Sequence, residues 1–476
     1  MSGRFERYEG LVDDVQAFHD ACASPLPDTC WMPPEYGDAA DALPIHGLER
    51  LSWTGEGHRI LSKDIRFGVH FLLGGLMIQE EAAMMAVRAL GLHPGERVLD
   101  LCAAPGNKTV QLATAVGPQG CVVANDVSAS RLQVLRGLVD RFRLPQVHLT
   151  VHDGASLPDY PFSDESGPVR FDAVLADVPC SCEGTSRKNP SVFTSGSAKR
   201  KAALPDLQES LLRRAIQFTR PGGRVLYATC TFAPEENEMV VDRVLSQPGR
   251  EGAVRVEPFD IPGAVLDSGI DHWEGNALHP SLTGTRRLWP HRNDTGGFYL
   301  ALLRKEGSSD PAPWPTSADA RKPDPHSLPW SAYGLDPVFF ETYRTLATRG
   351  KNGRLVTAAR PDLPFNVVSR GMSGVNPKSR EPRPSSSLAP LLVRHAHAGT
   401  AELGADQIPA FLKRQTVKPL QLVPPADRTR FVLVQCGPLP LGLGHVDRQG
   451  HVESHFPAHM AGLPVAEWLT KLDANR

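Results

Sequence analysis

Three thiols in this chain stand in company that suggests chemistry. The stretch DVPCSCEGTSRKN, Asp177 to Asn189, sets Cys180 and Cys182 one residue apart behind an acid and a proline. YATCTF places Cys230 at the end of an apolar run. A thiolate is a strong nucleophile with a reachable pKa, so a cysteine near a carboxylate is a candidate for covalent catalysis. Methylation at C5 of a pyrimidine needs such a set. C5 is a poor nucleophile until a thiolate adds to C6 and turns the ring into an enamine. C5 then attacks a donor methyl, its proton leaves and the thiol is eliminated. Asp177 is suited to hydrogen-bond the N3/N4 edge of cytosine and stabilise the adduct. A second thiol is suited to help break it.

A free cysteine is more often a small buried hydrophobe. That reading is adopted for Cys22, Cys30, Cys121 and Cys436, which carry no motif. Cys182 fits either packing or metal ligation with Cys180. A CxC pair without matching ligands elsewhere disfavours the metal, and none is expected.

A ligand loop precedes the thiols. DLCAAPGNKT, residues 100–109, places small side chains and Gly106 between a strand and a helix start. In an open α/β sheet the ligand crevice lies at such strand ends. The loop is not GxGxxG, which disfavours a dinucleotide pyrophosphate. Asp126 ends the next strand, placed to accept hydrogen bonds from both ribose hydroxyls, and Asp153 ends the one after, where a base edge would lie. A ribose-binding acid without a pyrophosphate loop fits S-adenosylmethionine. One such acid alone would be a helix cap; acids at the ends of four strands favour a ligand.

The elements that must position these residues are legible as alternating segments. RVLDLCA (97–103), CVVANDV (121–127), VHLTVHD (147–153), FDAVLADVP (171–179) and RVLYATC (224–230) are apolar on both faces, as expected of parallel strands covered by helices. TVQLATAV, SRLQVLRGLVDRF and DLQESLLRRAIQFT lie between them with helical spacing, and GGFYLALLRK (296–305) closes the region. This predicts an α/β domain over 91–305 with a doubly wound sheet. Its fourth and fifth strands end at one crevice, so Cys180 and Cys230 are expected to meet. Residues 1–90 read as mostly helical at both ends, with an irregular PLPDTCWMPPEYGD between. Residues 306–328 read as a Pro-, Ser- and Ala-rich linker, and 329–476 as a smaller, mostly-β domain. A second irregular stretch spans 369–390.

The chain has 476 residues with net charge −2, so RNA binding by bulk charge is not indicated and local basic patches must serve. Arg187/Lys188, Lys199–Lys201, Arg213/Arg214, Arg286/Arg287 and Arg428/Arg430 are the candidates, with Arg187 and Lys188 nearest the thiols. No apolar run approaches the roughly 18 residues of a membrane span. Eight scattered cysteines argue against a disulfide framework and for a reducing, cytoplasmic setting.

Taken together, DLCAAPGNKT, ANDV, DVPCSCEGTSRKN and YATCTFAPEENEMVV resemble, in order and spacing, the motifs of the Sun family of RNA cytosine-C5 methyltransferases. The resemblance covers about 60–305. It implies a Rossmann-like class I methyltransferase fold, S-adenosylmethionine as cofactor and RNA as partner; TSRKN and the TGGFY strand favour tRNA, with ribosomal RNA second. It implies Cys230 as nucleophile and Cys180 as the thiol that assists product release, with Asp177 contacting base and cofactor. Cys102, Ala103, Ala104, Pro105, Gly106, Asn107, Lys108, Asp126 and Asp153 would bind the cofactor. Arg187 and Lys188 are expected to touch RNA, and the C-terminal LPLGLGHVDRQG resembles small RNA-binding β-barrels. Three departures stand out. Cys182 occupies a position usually Gly, Asn107 one usually Gly or Ser, and PLPDTCWMPP replaces an Arg-Val-Asn stretch. Cys182 and the altered stretch of residues 1–90, a region the resemblance implies to contact RNA, motivate one rival reading, a catalytically vestigial RNA-binding assembly factor.

Overall fold

The computed structural model describes residues 5–36, 45, 47–62, 68–159, 168–194, 198–247, 249, 252–307, 320–326, 329–346, 353–357, 367–375 and 382–461. Most of the expected linker and part of the 369–390 stretch lie outside them.

Five parallel strands form the centre: β1 (Arg97–Asp100), β2 (Cys121–Asp126), β3 (Val147–Val151), β4 (Phe171–Asp177) and β5 (Thr219–Thr229). Two antiparallel strands, β6 (Arg286–Leu288) and β7 (Phe298–Lys305), follow, and β8 (Val367–Arg370) pairs antiparallel with β3. The path runs β6-β7-β5-β4-β1-β2-β3-β8, with Asp267–Ser268 beside β6 and Val254–Val256 also pairing with β7. The chain leaves β1 in one direction along the sheet and later returns to β4 on β1's other side. The crevice of a doubly wound fold opens at that reversal.

Alternation along the strands divides the core by face. Val98, Val122, Ala173 and Leu226 point to one cluster with residues of α2 (Glu81–Ala89), α3 (Asn107–Val116) and α4 (Ala129–Arg141). Leu99, Val123, Val174 and Val225 point to another with α5 (Leu204–Phe218) and α6 (Glu238–Ser246). With apolar residues required on both faces, these strands read as continuous apolar runs.

Two features go beyond the expectation. The N-terminal region holds the helix α1 (Val15–Ala23) and α2, but between them four short strands, Leu48–Arg50, Gly57–Ile60, Thr29–Trp31 and Met77–Ile78, form an antiparallel sheet. And β8 comes from the C-terminal third, outside the expected range 91–305. It covers an edge of β3 whose backbone groups would otherwise face outward. The C-terminal region folds into a six-stranded sheet that includes Phe431–Cys436 and Leu439–Val446.

Candidate active site

The cofactor loop is set by β1 and α3. Gly106 caps α3 at φ 116°, and a Cβ there would meet Leu135 Cδ1 at 2.3 Å, so no side chain fits. Ala103 N donates to Asn125 O at 2.7 Å and Asn107 Nδ2 to Ile78 O at 3.1 Å, fixing both ends of the loop. Asp126 accepts from Ala104 N at 3.1 Å and Ser128 N at 2.9 Å, and Arg131 stands 3.5 Å away. Each oxygen keeps a lone pair for a ribose hydroxyl. Asp100 accepts from Thr109 at 2.7 Å, and burial pushes its carboxyl up to about 7. Asp153 is exposed and caps the turn Gly154–Ser156, accepting from Ala155 N at 3.1 Å. A glycine cradle, a ribose-height carboxylate and further acids suited to a cationic sulfonium fit S-adenosylmethionine. When bound, it supplies an electrophilic methyl.

Lys108 on α3 donates to Asp177 at the end of β4 at 2.7 Å and stands 5.3 Å from the Phe298 ring centroid. Burial works against its charge, but Asp177 more than compensates and holds the ammonium above its usual range. The cofactor helix is thus tied to the strand that delivers the thiols.

The thiols meet. Cys180 Sγ lies 3.4 Å from Cys230 Sγ and 3.9 Å from Cys182 Sγ. Two turns hold them together. Gly184 N donates to Cys230 O at 3.0 Å, and Ser181 Oγ lies 2.7 Å from Thr231 Oγ1. Glu236 accepts from Ser181 N and from Gln208, each at 2.9 Å, and Gln208 also donates to Pro179 O at 2.9 Å. A Cβ on Gly184 would come within 2.2 Å of Gly297 O, so this approach requires glycine. Hydrogen bonds that the Cys180 S–H gives to Cys182 and Cys230, then burial, raise the Cys180 thiol well above its ordinary range. For Cys230, the bond from Cys180 lowers the pKa. The contact with Cys182, burial and nearby negative charge outweigh it, and the thiol is raised as well.

Sequence reasoning missed Gln208 and Glu236, whose roles appear only when α5 crosses the loop after β4. It also missed the N-terminal wall. Phe5, Tyr8 and Phe18 pack on Phe232 and Trp289, with Phe232 and Trp289 stacked at 5.3 Å, and Tyr8 OH donates to Glu183 at 2.5 Å. The segment before residue 24 therefore buttresses the Cys230 turn.

Arg187 corrects an expectation. Its side chain is 1% exposed and donates to Thr295 O at 2.8 Å, Pro25 O at 2.8 Å and Asp294 at 2.7 Å. A guanidinium so engaged ties loops together and has no face for a phosphate, whereas Lys188 is exposed. Arg287 is likewise spent, buried against Glu238 and Phe232 O.

The sequence profile of the family described as "16S rRNA methyltransferase RsmB/F" matches residues 87–304. The tRNA (cytosine(49)-C(5))-methyltransferase of Pyrococcus abyssi is 35% identical over 63% of this chain and 94% of its own length. The chain belongs to the Sun, or RsmB/F, family of RNA cytosine-C5 methyltransferases. Its cofactor is S-adenosylmethionine. Ribosomal RNA small subunit methyltransferase F of Serratia proteamaculans is 36% identical over 56% of this chain, and the match spans 54% of that relative's length. A solved methyltransferase homolog from Pyrococcus horikoshii superposes with TM-score 0.53 at 28% identity, covering 63% of this chain and 93% of that one.

Proposed function

We propose that this Sun-family protein methylates C5 of cytosine in RNA and that its substrate is tRNA. The observation that carries the reading is the 3.4 Å contact between the Cys180 and Cys230 sulfurs at the mouth of the cofactor crevice. Cys230 gives its S–H proton to solvent and adds as the thiolate to C6 of a cytosine, forming the S–C6 bond and pushing the C5–C6 π electrons toward C5. Asp177, pinned by Lys108, accepts from the N4 amino group and orients that edge while N3 takes a proton from solvent, which neutralises the negative charge the adduct would otherwise carry. After transfer, the C5 proton passes to water, its electron pair re-forms the C5–C6 double bond and Cys230 leaves as the thiolate. Cys180, in contact with the departing sulfur, assists that step. Lys188, exposed on the segment that follows Cys180 and Cys182, supplies a phosphate contact for a strand whose target base has left its stack.

Two features support tRNA. The archaeal relative matched over nearly its whole length carries a tRNA name, and TSRKN with the TGGFY strand agrees with it. The bacterial relative favours ribosomal RNA as the second reading. The intact thiol pair speaks against a vestigial scaffold. All eight cysteines are free, which suits a reducing cytoplasm. Incubation with labelled donor and purified tRNA or ribosomal RNA separates the readings, and bisulfite sequencing locates the base. Label in ribosomal RNA alone would overturn the tRNA assignment, and label in neither would overturn the activity.

A further inference from the structure

Judged by spacing, the Cys180–Cys182 pair lacks the companions of a zinc site. The fold supplies one, because β4 and β5 end side by side and bring Cys230 to the pair. The three sulfurs lie within 4.8 Å of one another, with contacts of 3.4 and 3.9 Å, and all three residues are partly exposed. Thiolates around a tetrahedral zinc, with Zn–S about 2.3 Å, stand about 3.8 Å apart. Small shifts of the sulfurs therefore satisfy one ion, leaving its fourth position toward solvent.

Cys182 is the member with no part in the methyl-transfer scheme. It occupies the left-handed region at φ 61° and ψ 23°, where glycine sits without cost and a side chain costs about 1 kcal/mol. That conformation carries its Sγ back over the loop, 3.3 Å from Cys180 O and toward the other two sulfurs. A strained residue that turns a third soft ligand toward an existing pair points to a use for the ligand.

We infer that Cys180, Cys182 and Cys230 together bind one thiophilic divalent ion, zinc being the fitting one, through three sulfurs with water in the fourth place. Three S–H protons pass to solvent as three metal–sulfur bonds form, and nothing is oxidised or reduced. Binding depends on these three residues alone. Its consequence rests on the proposed role of Cys230: a sulfur bonded to zinc cannot add to a pyrimidine, so metal and covalent chemistry exclude one another.

The test uses the full chain, reduced with a phosphine and freed of metal, titrated with cobalt(II). A thiolate-to-cobalt charge-transfer band should grow to one equivalent and vanish on adding one equivalent of zinc. Cys182→Gly suits the left-handed backbone and should fold. It and Cys182→Ser should each weaken zinc binding by at least roughly ten- to a hundredfold, the loss that follows when only a hydrogen-bond partner of a metal ligand is removed. No charge-transfer band in the unaltered chain, or one unchanged in Cys182→Gly, overturns the site. A band with methyl transfer to RNA insensitive to zinc overturns the exclusion and leaves the site standing. Failure of the metal-free chain to methylate any RNA would count against the functional reading and not against the metal site.

Discussion

At the scale of single residues, the assignment of the two thiols separates into distinct outcomes. Cys230→Ala removes the atom that adds to C6, and methyl transfer should fall by about a thousandfold or more, with folding retained by circular dichroism. Cys180→Ala leaves the addition intact and impairs release. It should accumulate a protein–RNA adduct that survives denaturing electrophoresis. If both variants lose transfer and neither traps RNA, the two roles are misassigned. The basic residues separate in the same way. Lys188→Ala should weaken RNA binding across sequences and lower the salt slope by about 1. Arg187→Ala should instead lower the melting temperature, because it unties Pro25, Asp294 and Thr295 from one another. Equal salt slopes for Arg187→Ala and Lys188→Ala would contradict this division. Residue identity and strand order told which two sulfurs would meet, since Cys180 and Cys230 lie 3.4 Å apart. They did not tell which cations were already spent. The partners of Arg187 lie more than a hundred residues away in either direction, and nothing local to TSRKN announces them.

At the scale of elements, the catalytic strands were readable because each is buried on both faces and so carries an uninterrupted apolar run. The N-terminal strands were not. Each is only two to four residues long, and Leu48–Arg50 is partly or fully exposed, so no alternation has room to show. The junction between that small sheet and the catalytic domain passes through Glu81 at the start of α2, which accepts from Trp53 Nε1 at 2.8 Å while 6% exposed. Burial is the main cause that pushes its carboxyl from 4.5 to about 7. The folded state thus holds this proton more tightly than the unfolded chain does. The associated stability is fully present below pH 4.5 and is lost as pH rises through 7, by at most about 3 kcal/mol. Glu81→Gln keeps the acceptor for Trp53 and removes the titration. Its melting temperature should vary less between pH 5 and pH 8 than that of the unaltered chain. Equal pH dependence of the two would show that the carboxyl is ionised throughout.

At the scale of the whole molecule, the change of composition after residue 305 suggests a boundary, yet the packing runs across it. Cys30, Met32, Tyr36, Leu72 and Leu76 from the N-terminal region share one buried cluster with Phe411, Val432, Val434 and Leu441 from the C-terminal sheet. On the other side of the junction, β8 extends the catalytic sheet beyond β3, and Ser373 donates twice to Asp140 of α4 at 2.7 Å. A linker rich in Pro and Ser says how a chain travels, not what its far end packs on, and the apolar residues of this shared cluster are too dispersed in sequence to reveal each other. A chain ending at residue 307 would therefore leave that N-terminal cluster half covered and the β3 edge bare. Exposed apolar area costs roughly 25 cal/mol per Å², and an unpaired strand edge invites association. Such a truncation should unfold at a lower temperature, bind an apolar dye and self-associate in sedimentation, even though Cys180, Cys182, Cys230 and every cofactor-loop residue remain. If it stays monomeric, dye-silent and as heat-stable as the full chain, the C-terminal region is an appended domain, and the shared cluster contributes little to holding the active half together.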